Sequence, residues 1–285
     1  MQNSIIKIMR NYNYNPRTNG EITQRKQAIL INQVSTILLA ICLLFCATAF
    51  ITSKTYYTAE VEGASMYPSI NAYKKMTGVN DIAYYTIYKK PVKGDMIIVD
   101  YAGIGSNIDA IKRLIAISGD TICYYNNKIY LNGVALSEPY LQKDYELLKN
   151  DANALYNSGY TSADDWKNIG YEKSKNNFEK WCEILLNDSL TEQQKDAQLA
   201  DTTFFKNYST TYQNSVQYSE TLSTYVLTVP DGFVYFLGDN RANSSDCSMF
   251  GPLEQKYMLA KVDFVTSGTA TVYSNFWKEI KYLFA

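Results

Sequence analysis

The sequence predicts a mainly β protein, an antiparallel β domain carried behind one N-terminal transmembrane helix and interrupted by a partly helical insertion. Three observations predict it. An uncharged apolar run lies near the N-terminus. Short β-rich runs punctuated by Gly, Asn and Asp fill residues 52–140 and return over 225–275. Between them, residues 141–224 are polar, with stretches of helical period.

Residues 1–27 are rich in Asn, Tyr and Arg, lack a hydrophobic period, and read as a short mobile tail. Ala28–Ile51 carries no charge and, at about 1.5 Å per helical residue, reaches roughly 36 Å, enough to cross a bilayer. Asn32, Gln33, Ser35 and Thr36 weaken its first half. Ala47-Thr48-Ala49 has the small-x-small form at which secretory leaders are cut, but the length and flanks of the segment predict an uncleaved anchor. Lys7, Arg10, Arg17, Arg25 and Lys26 precede it against the single acid Glu21, which places the N-terminus in the cytoplasm and residues beyond 51 outside.

Strands are expected at Tyr57–Glu62, Ile82–Tyr88, Met96–Tyr101, Ala110–Ile117, Thr121–Tyr125 and Lys128–Leu131, with turns at Lys93-Gly94-Asp95, Ser118-Gly119-Asp120, Asn126-Asn127 and Asn132-Gly133. In the insertion, Asp164–Leu186 reads as a helix with an apolar stripe of Trp166, Ile169, Phe178, Trp181, Ile184 and Leu185; Ser189-Leu190-Thr191 opens another. Strand character returns at Tyr225–Val229, Phe233–Leu237 and Tyr257–Val265. The tail 276–285 is too short to span a membrane, and either a bilayer surface or the core can take its apolar residues.

A net charge of −1, from 27 basic and 28 acidic residues, leaves no excess of cations to neutralise phosphates and argues against nucleic acid. Cys42 and Cys46 lie in the apolar run; Cys123, Cys182 and Cys247 lie outside it, without metal-knuckle spacing, and are expected to be unpaired. No metal and no cofactor is expected.

The chain has no histidine. A Ser-His-Asp triad, a His-ligated zinc and an HExxH site are therefore excluded, and an activated serine needs lysine or a carboxylate as its base. Ser65 in Gly63-Ala64-Ser65-Met66-Tyr67-Pro68-Ser69 is the candidate nucleophile and Lys112 the better base. Strand alternation places Lys112 on one face with Leu114 and Ala116, with Arg113 on the other. Burial there would disfavour the ammonium.

The run Gly63–Ser69, together with Lys93-Gly94-Asp95-Met96-Ile97-Ile98-Val99, Lys112–Asp120 and Gly238-Asp239-Asn240-Arg241-Ala242-Asn243-Ser244-Ser245-Asp246 followed by Gly251, resembles in order the sequence boxes of type I bacterial signal peptidase in its Gram-positive form. The likeness begins with the anchor and takes in Asn132-Gly133, Glu138-Pro139-Tyr140 and Val229-Pro230-Asp231-Gly232. It implies a catalytic β domain of signal-peptidase type, at the outer face of a bacterial plasma membrane, that cleaves signal peptides from exported preproteins, alone or with export machinery. It implies that Ser65 attacks the scissile carbonyl, that neutral Lys112 takes its proton, and that Ser244 hydrogen-bonds the lysine amine. Gly63 stands where some members carry an oxyanion-stabilising serine, leaving that task to the Ser65 N–H.

Asp239, Arg241, Asp246 and Arg113 are expected to form a structural charge cluster beside the lysine strand. The resemblance also implies that an extended peptide pairs between Val61, Glu62, Gly63 and Ala64 on one side and Asp109, Ala110 and Ile111 on the other. Met66 and Ile111 would bound pockets for small residues. The chain departs from the family where Ser118 replaces a proline, and where Asp246-Cys247-Ser248-Met249-Phe250-Gly251 lacks the usual arginine. A paralogue dedicated to pilin or surface-protein export, and an inactive peptide-binding assembly factor, are the alternatives.

Overall fold

The computed structural model describes residues 16–72, 74–141, 163–203, 212 and 214–285. The chain divides into two compact units, Met1–Lys54 and Thr55–Ala285. The first 15 residues of the expected tail lie outside the described residues. The helix α1 runs Pro16–Thr55, so it starts before Ala28 and ends beyond Ile51. Proline suits the first position of a helix, where its missing N–H is not needed. Hydrophobic periodicity is blind to a polar helical turn, which is why the sequence places the start later. The stretch Gln24–Thr55 is long and apolar enough to cross a membrane, its most apolar 18-residue window having a mean hydropathy of 2.6.

The second unit opens with β1 (Tyr57–Glu60), a short helix α2 (Lys74–Thr77), β2 (Asp81–Thr86), β3 (Met96–Asp100) and β4 (Asp109–Ile117). The hairpin β5 (Thr121–Tyr125) and β6 (Lys128–Leu131) follows, turning on Asn126 and Asn127, both at positive φ, and leads to β7 (Val134–Ala135). Helices α3 (Ala163–Leu186) and α4 (Glu192–Thr203) come next. The chain then returns to strands β8 (Val216–Ser219), β9 (Thr224–Thr228) and β10 (Phe233–Leu237). It ends with a one-turn helix α5 (Cys247–Phe250), β11 (Leu253–Glu254), β12 (Met258–Ser267) and α6 (Val272–Leu283).

All strand pairing is antiparallel. One sheet has the order β1-β2-β12-β3-β4-β10-β11 and the other β7-β6-β5-β9-β8. The larger sheet curls, and its register shows why: β12 carries an extra residue at Leu259 against β3 and at Asp263 against β2. Such bulges bend a strand and increase its twist. A third bulge, at Ile115 of β4 against β10, corrects the expected alternation. Lys112 to Ala116 are buried in succession rather than every second residue.

The main core lies between the sheets and takes in Ile97, Val99, Leu114, Ile122, Tyr124 and Phe236. The helix α3 belongs to it through Phe178, Trp181, Cys182 and Leu185, whereas Ile169, placed by the sequence in the same stripe, is exposed. The Trp166 side chain lies outside those described. The buried face instead reaches Gly170 and Ser174 in steps of four, small residues that hydrophobic counting passes over. Thr191 and Gln194 cap α4 reciprocally, side chain to backbone in both directions, as the serine-threonine signal implied. Cys123, Cys182 and Cys247 are free and buried. In α6, Tyr282 stacks on Phe264 at 5.1 Å, while Trp277 and Phe284 remain exposed.

Gly251 follows α5 at φ 76, where a Cβ would stand 2.3 Å from the Trp181 ring. Gly251→Ala is expected to destabilise the protein by about 1–3 kcal/mol from overpacking, with backbone strain in addition, read as a lower urea midpoint for the detergent-solubilised chain.

Candidate active site

The segment after β1 is a tight turn whose base is pinned by Asn71. Its side chain donates to Val61 O at 2.5 Å and accepts from the Asp81 N–H at 2.7 Å, while its own N–H donates to Asp81 Oδ2 at 2.6 Å. Met66 and Ile70 are buried beneath the turn, which leaves Ser65 half-buried at its crest.

Lys112 meets it from β4, where its register partner is Ile97. The side chain is 2% exposed, and Nζ donates to Ser65 Oγ at 2.7 Å and to Ile111 O at 3.2 Å. The Tyr101 ring lies 5.7 Å from the amine. Burial lowers the lysine pKa to about 8, against the opposing pull of Asp246, then Asp239, then Cys247. A neutral amine is therefore within reach near neutral pH, and it has a lone pair that can accept the Ser65 proton.

Ser244 reaches the same place but does not make the expected bond. Its Oγ is buried without a hydrogen-bond partner among the described residues, and the acceptors of Lys112 are Ser65 Oγ and Ile111 O. Gly238 brings it there. A Cβ at that position would stand 2.2 Å from Ser244 Oγ and 2.5 Å from Ser65 O. The next residue is fixed by Tyr101, whose hydroxyl, pushed well up in pKa by burial, donates to Ser245 O at 2.5 Å.

The expected charge cluster separates into two ion pairs and a cap. Arg113 grips Asp239 through Nε at 2.8 Å and Nη2 at 2.5 Å, donates to Gly94 O, and lies 3.7 Å over the Tyr140 ring. Arg241 pairs with Glu138 and donates to Gly238 O at 2.9 Å. Asp246 has no arginine. Its carboxylate accepts from Gly238 N–H at 2.8 Å and from the Ser248 N–H and hydroxyl at 3.0 and 2.8 Å, capping α5. Three neutral donors satisfy its oxygens without supplying a counter-charge.

Beside Ser65 lies a cavity of about 740 Å³. Val61, Glu62, Gly63 and Met66 line one wall and Asp109, Ala110 and Ile111 the other; Ala64 is the one predicted residue that does not line it. Its floor adds Ile98, Leu259 and Ala260. On the outer side of β1 no strand is paired, and β10 pairs with β4 only from Arg113 onward. Both walls thus present open backbone edges.

Residues 30–267 match the family described as "Signal peptidase, peptidase S26". The chain belongs to this signal peptidase family. It is 31% identical over 124 residues to signal peptidase I of Bacillus licheniformis, covering 44% of this chain and 62% of that protein. It is 28% identical over 204 residues to signal peptidase I of Streptococcus pneumoniae serotype 4, covering 72% and 78%. A solved signal peptidase I from Enterococcus faecalis V583 matches at 22% identity and a TM-score of 0.31, covering 61% of this chain and 97% of that one. Membership supports a signal-peptidase hydrolase.

Several residues around this candidate site carried no assigned role in the sequence. Ser69 donates to Asp239 Oδ2 at 2.5 Å, and Asn240 N–H donates to Ser65 O at 2.9 Å. Both sit inside runs that the sequence reading singled out, as do Glu138 and Tyr140. The role of α3 had no such signal. Lys173 donates to Ala242 O at 2.6 Å, and at Gly170 a Cβ would come within 3.2 Å of Arg241 Cβ, so the helix braces the loop that carries Ser244.

Gly238→Ala is expected to lower peptide cleavage at least about 100-fold without unfolding the chain, because the added methyl group must displace Ser244, the Ser65 carbonyl or both. Initial rates on a preprotein, with a melting curve alongside, check it.

Proposed function

We propose that the chain is a membrane-anchored serine endopeptidase that removes N-terminal signal peptides from exported preproteins with a Ser65/Lys112 dyad. The observation that carries this reading is the 2.7 Å contact between Ser65 Oγ and the amine of a lysine buried to 2% exposure. Neutral Lys112 accepts the hydroxyl proton as Oγ attacks the scissile carbonyl; the resulting ammonium then protonates the departing amine. An acyl-enzyme on Ser65 remains, and Lys112 next deprotonates the water that releases it. The Ser65 N–H stabilises the oxyanion at each stage. Ser244, packed against Gly238 beside Ser65, lends its free hydroxyl to the lysine amine when the proton moves.

The substrate lies extended in the cavity, its backbone paired with residues 61–64 and 109–111, so recognition tolerates varied sequence. Met66 and Ile111 bound shallow pockets that admit small side chains, such as Ala, at the first and third positions before the cut. Ala28–Ile51 spans the plasma membrane once. The basic residues before it stay in the cytoplasm, and the catalytic unit faces outward beside lipid and export machinery. The helix α1 runs unbroken through Ala47-Thr48-Ala49, and a protease that binds its substrate as an added strand cannot cut a helical backbone.

Ser65→Ala and Lys112→Ala are each expected to abolish preprotein processing while the chain stays folded and membrane-bound, and Ser244→Ala to cost about 10–10³-fold. Sequencing the new N-terminus of a processed preprotein tests reaction and site together; substantial cleavage by either folded dyad variant overturns the reading.

With a lysine pKa of about 8, roughly a tenth of the amine is neutral at pH 7, so kcat/KM is expected to rise with pH through 8 and level off above about 9. A flat profile between pH 7 and 9 counts against Lys112 as the base.

A further inference from the structure

Asn240 is 4% exposed and holds the backbone on both sides of the proposed nucleophile. Its main-chain N–H donates to Ser65 O at 2.9 Å and its Nδ2 to Ala64 O at 3.1 Å. Ala64 O also accepts from the Tyr67 N–H at 3.0 Å, across the turn. The sense of the amide follows from this network, since rotating it would set Oδ1 against Ala64 O, one acceptor against another. In the observed sense Oδ1 is buried with no donor among the described residues. The side chain thus forgoes one hydrogen bond and keeps Nδ2 on the carbonyl before Ser65.

The peptide between Ala64 and Ser65 is a rigid trans plane whose C=O and N–H point in opposite directions. Fixing the carbonyl from one side fixes the N–H on the other. That Ser65 N–H donates to nothing among the described residues, and Gly63 and Ala64 beside it are exposed. We propose that Asn240 is a positioning residue that aims the Ser65 N–H at the oxyanion. The assignment rests on the Ser65/Lys112 reading. Asn240 acts through the Ala64–Ser65 peptide and not through the lysine. Gly63 supplies no hydroxyl, so a single backbone donor near the nucleophile carries the charge, and its direction matters more than it would in a site with two.

Asn240→Asp keeps the shape of the side chain and the main-chain bond to Ser65 O but removes the donor to Ala64 O; Asn240→Ala removes it with a smaller group. Both are made in the full-length, detergent-solubilised protein. Each is expected to lower kcat on a preprotein about 10–100-fold, less than the loss of a direct oxyanion donor. KM and the affinity for the released signal peptide should stay within about threefold, and in Asn240→Ala, which adds no charge, the pH midpoint should not move. A peptide boronate, whose adduct with Ser65 mimics the tetrahedral intermediate, should bind more weakly by the factor lost in kcat.

Wild-type kcat and boronate affinity in both variants would overturn the proposal. So would a shifted pH midpoint in Asn240→Ala, which would assign Asn240 to the surroundings of Lys112, or loss of product binding in both, which would make it a support of the groove. If the wild type itself fails to process the preprotein, or Ser65→Ala succeeds, the functional reading falls and this inference with it. If the wild type processes and only the Asn240 variants are indifferent, this inference alone falls.

Discussion

The carboxylate of Asp239 joins three segments that are distant in sequence. It is fully buried, accepts from Arg113 on the lysine strand and from Ser69 in the nucleophile turn, and itself begins the loop that ends at Ser244. A buried charge without partners would be expelled or neutralised; here two charge-assisted bonds and a hydroxyl satisfy it. Removing one member of such a pair typically costs about 3–5 kcal/mol, because the other charge stays buried. The position of Ser65 relative to Lys112 depends on this junction. Ser65 rides on a turn after β1 and Lys112 on β4, and the junction ties these two segments to the loop whose Asn240 N–H holds Ser65 O.

The same neighbourhood sets the chemistry of the lysine by opposition. Burial moves the amine toward neutrality, while Asp246 and Asp239 favour the ammonium. Arg113 occupies Asp239, whereas Asp246 is held only by backbone N–H groups and a hydroxyl. The substitution of serine for arginine at position 248 therefore leaves one more unneutralised negative charge near the base than a paired site would have. Burial outweighs that charge and lowers the lysine pKa to about 8.

Much of this was legible in the sequence because local signals and long-range assembly agreed. Strands β5, β6 and β10 fall at the residues that alternation and turn chemistry picked out, and the absence of histidine alone directed attention to Lys112. What could not be read was whatever depends on contacts between segments. The bulge at Ile115 is set by pairing with β10 and changes which side chains of β4 are buried. Ile169 fits a helical stripe by spacing, yet the helix packs on the side marked by Gly170 and Ser174, because close approach to Arg241 and Tyr124 requires small residues there. Arg241 was grouped with the aspartates by proximity in sequence, but its partner Glu138 comes from the other end of the insertion.

The strand order has a consequence for when this enzyme comes into being. In the strand order β12 lies between the hairpin β1-β2, which leads into the Ser65 turn, and the pair β3-β4, which carries Lys112, although both are made well before it. A chain emerging from N- to C-terminus therefore holds both residues before the strand that joins their parts of the sheet exists. The larger sheet, and with it the geometry of the proposed dyad, is complete only once β12 has inserted.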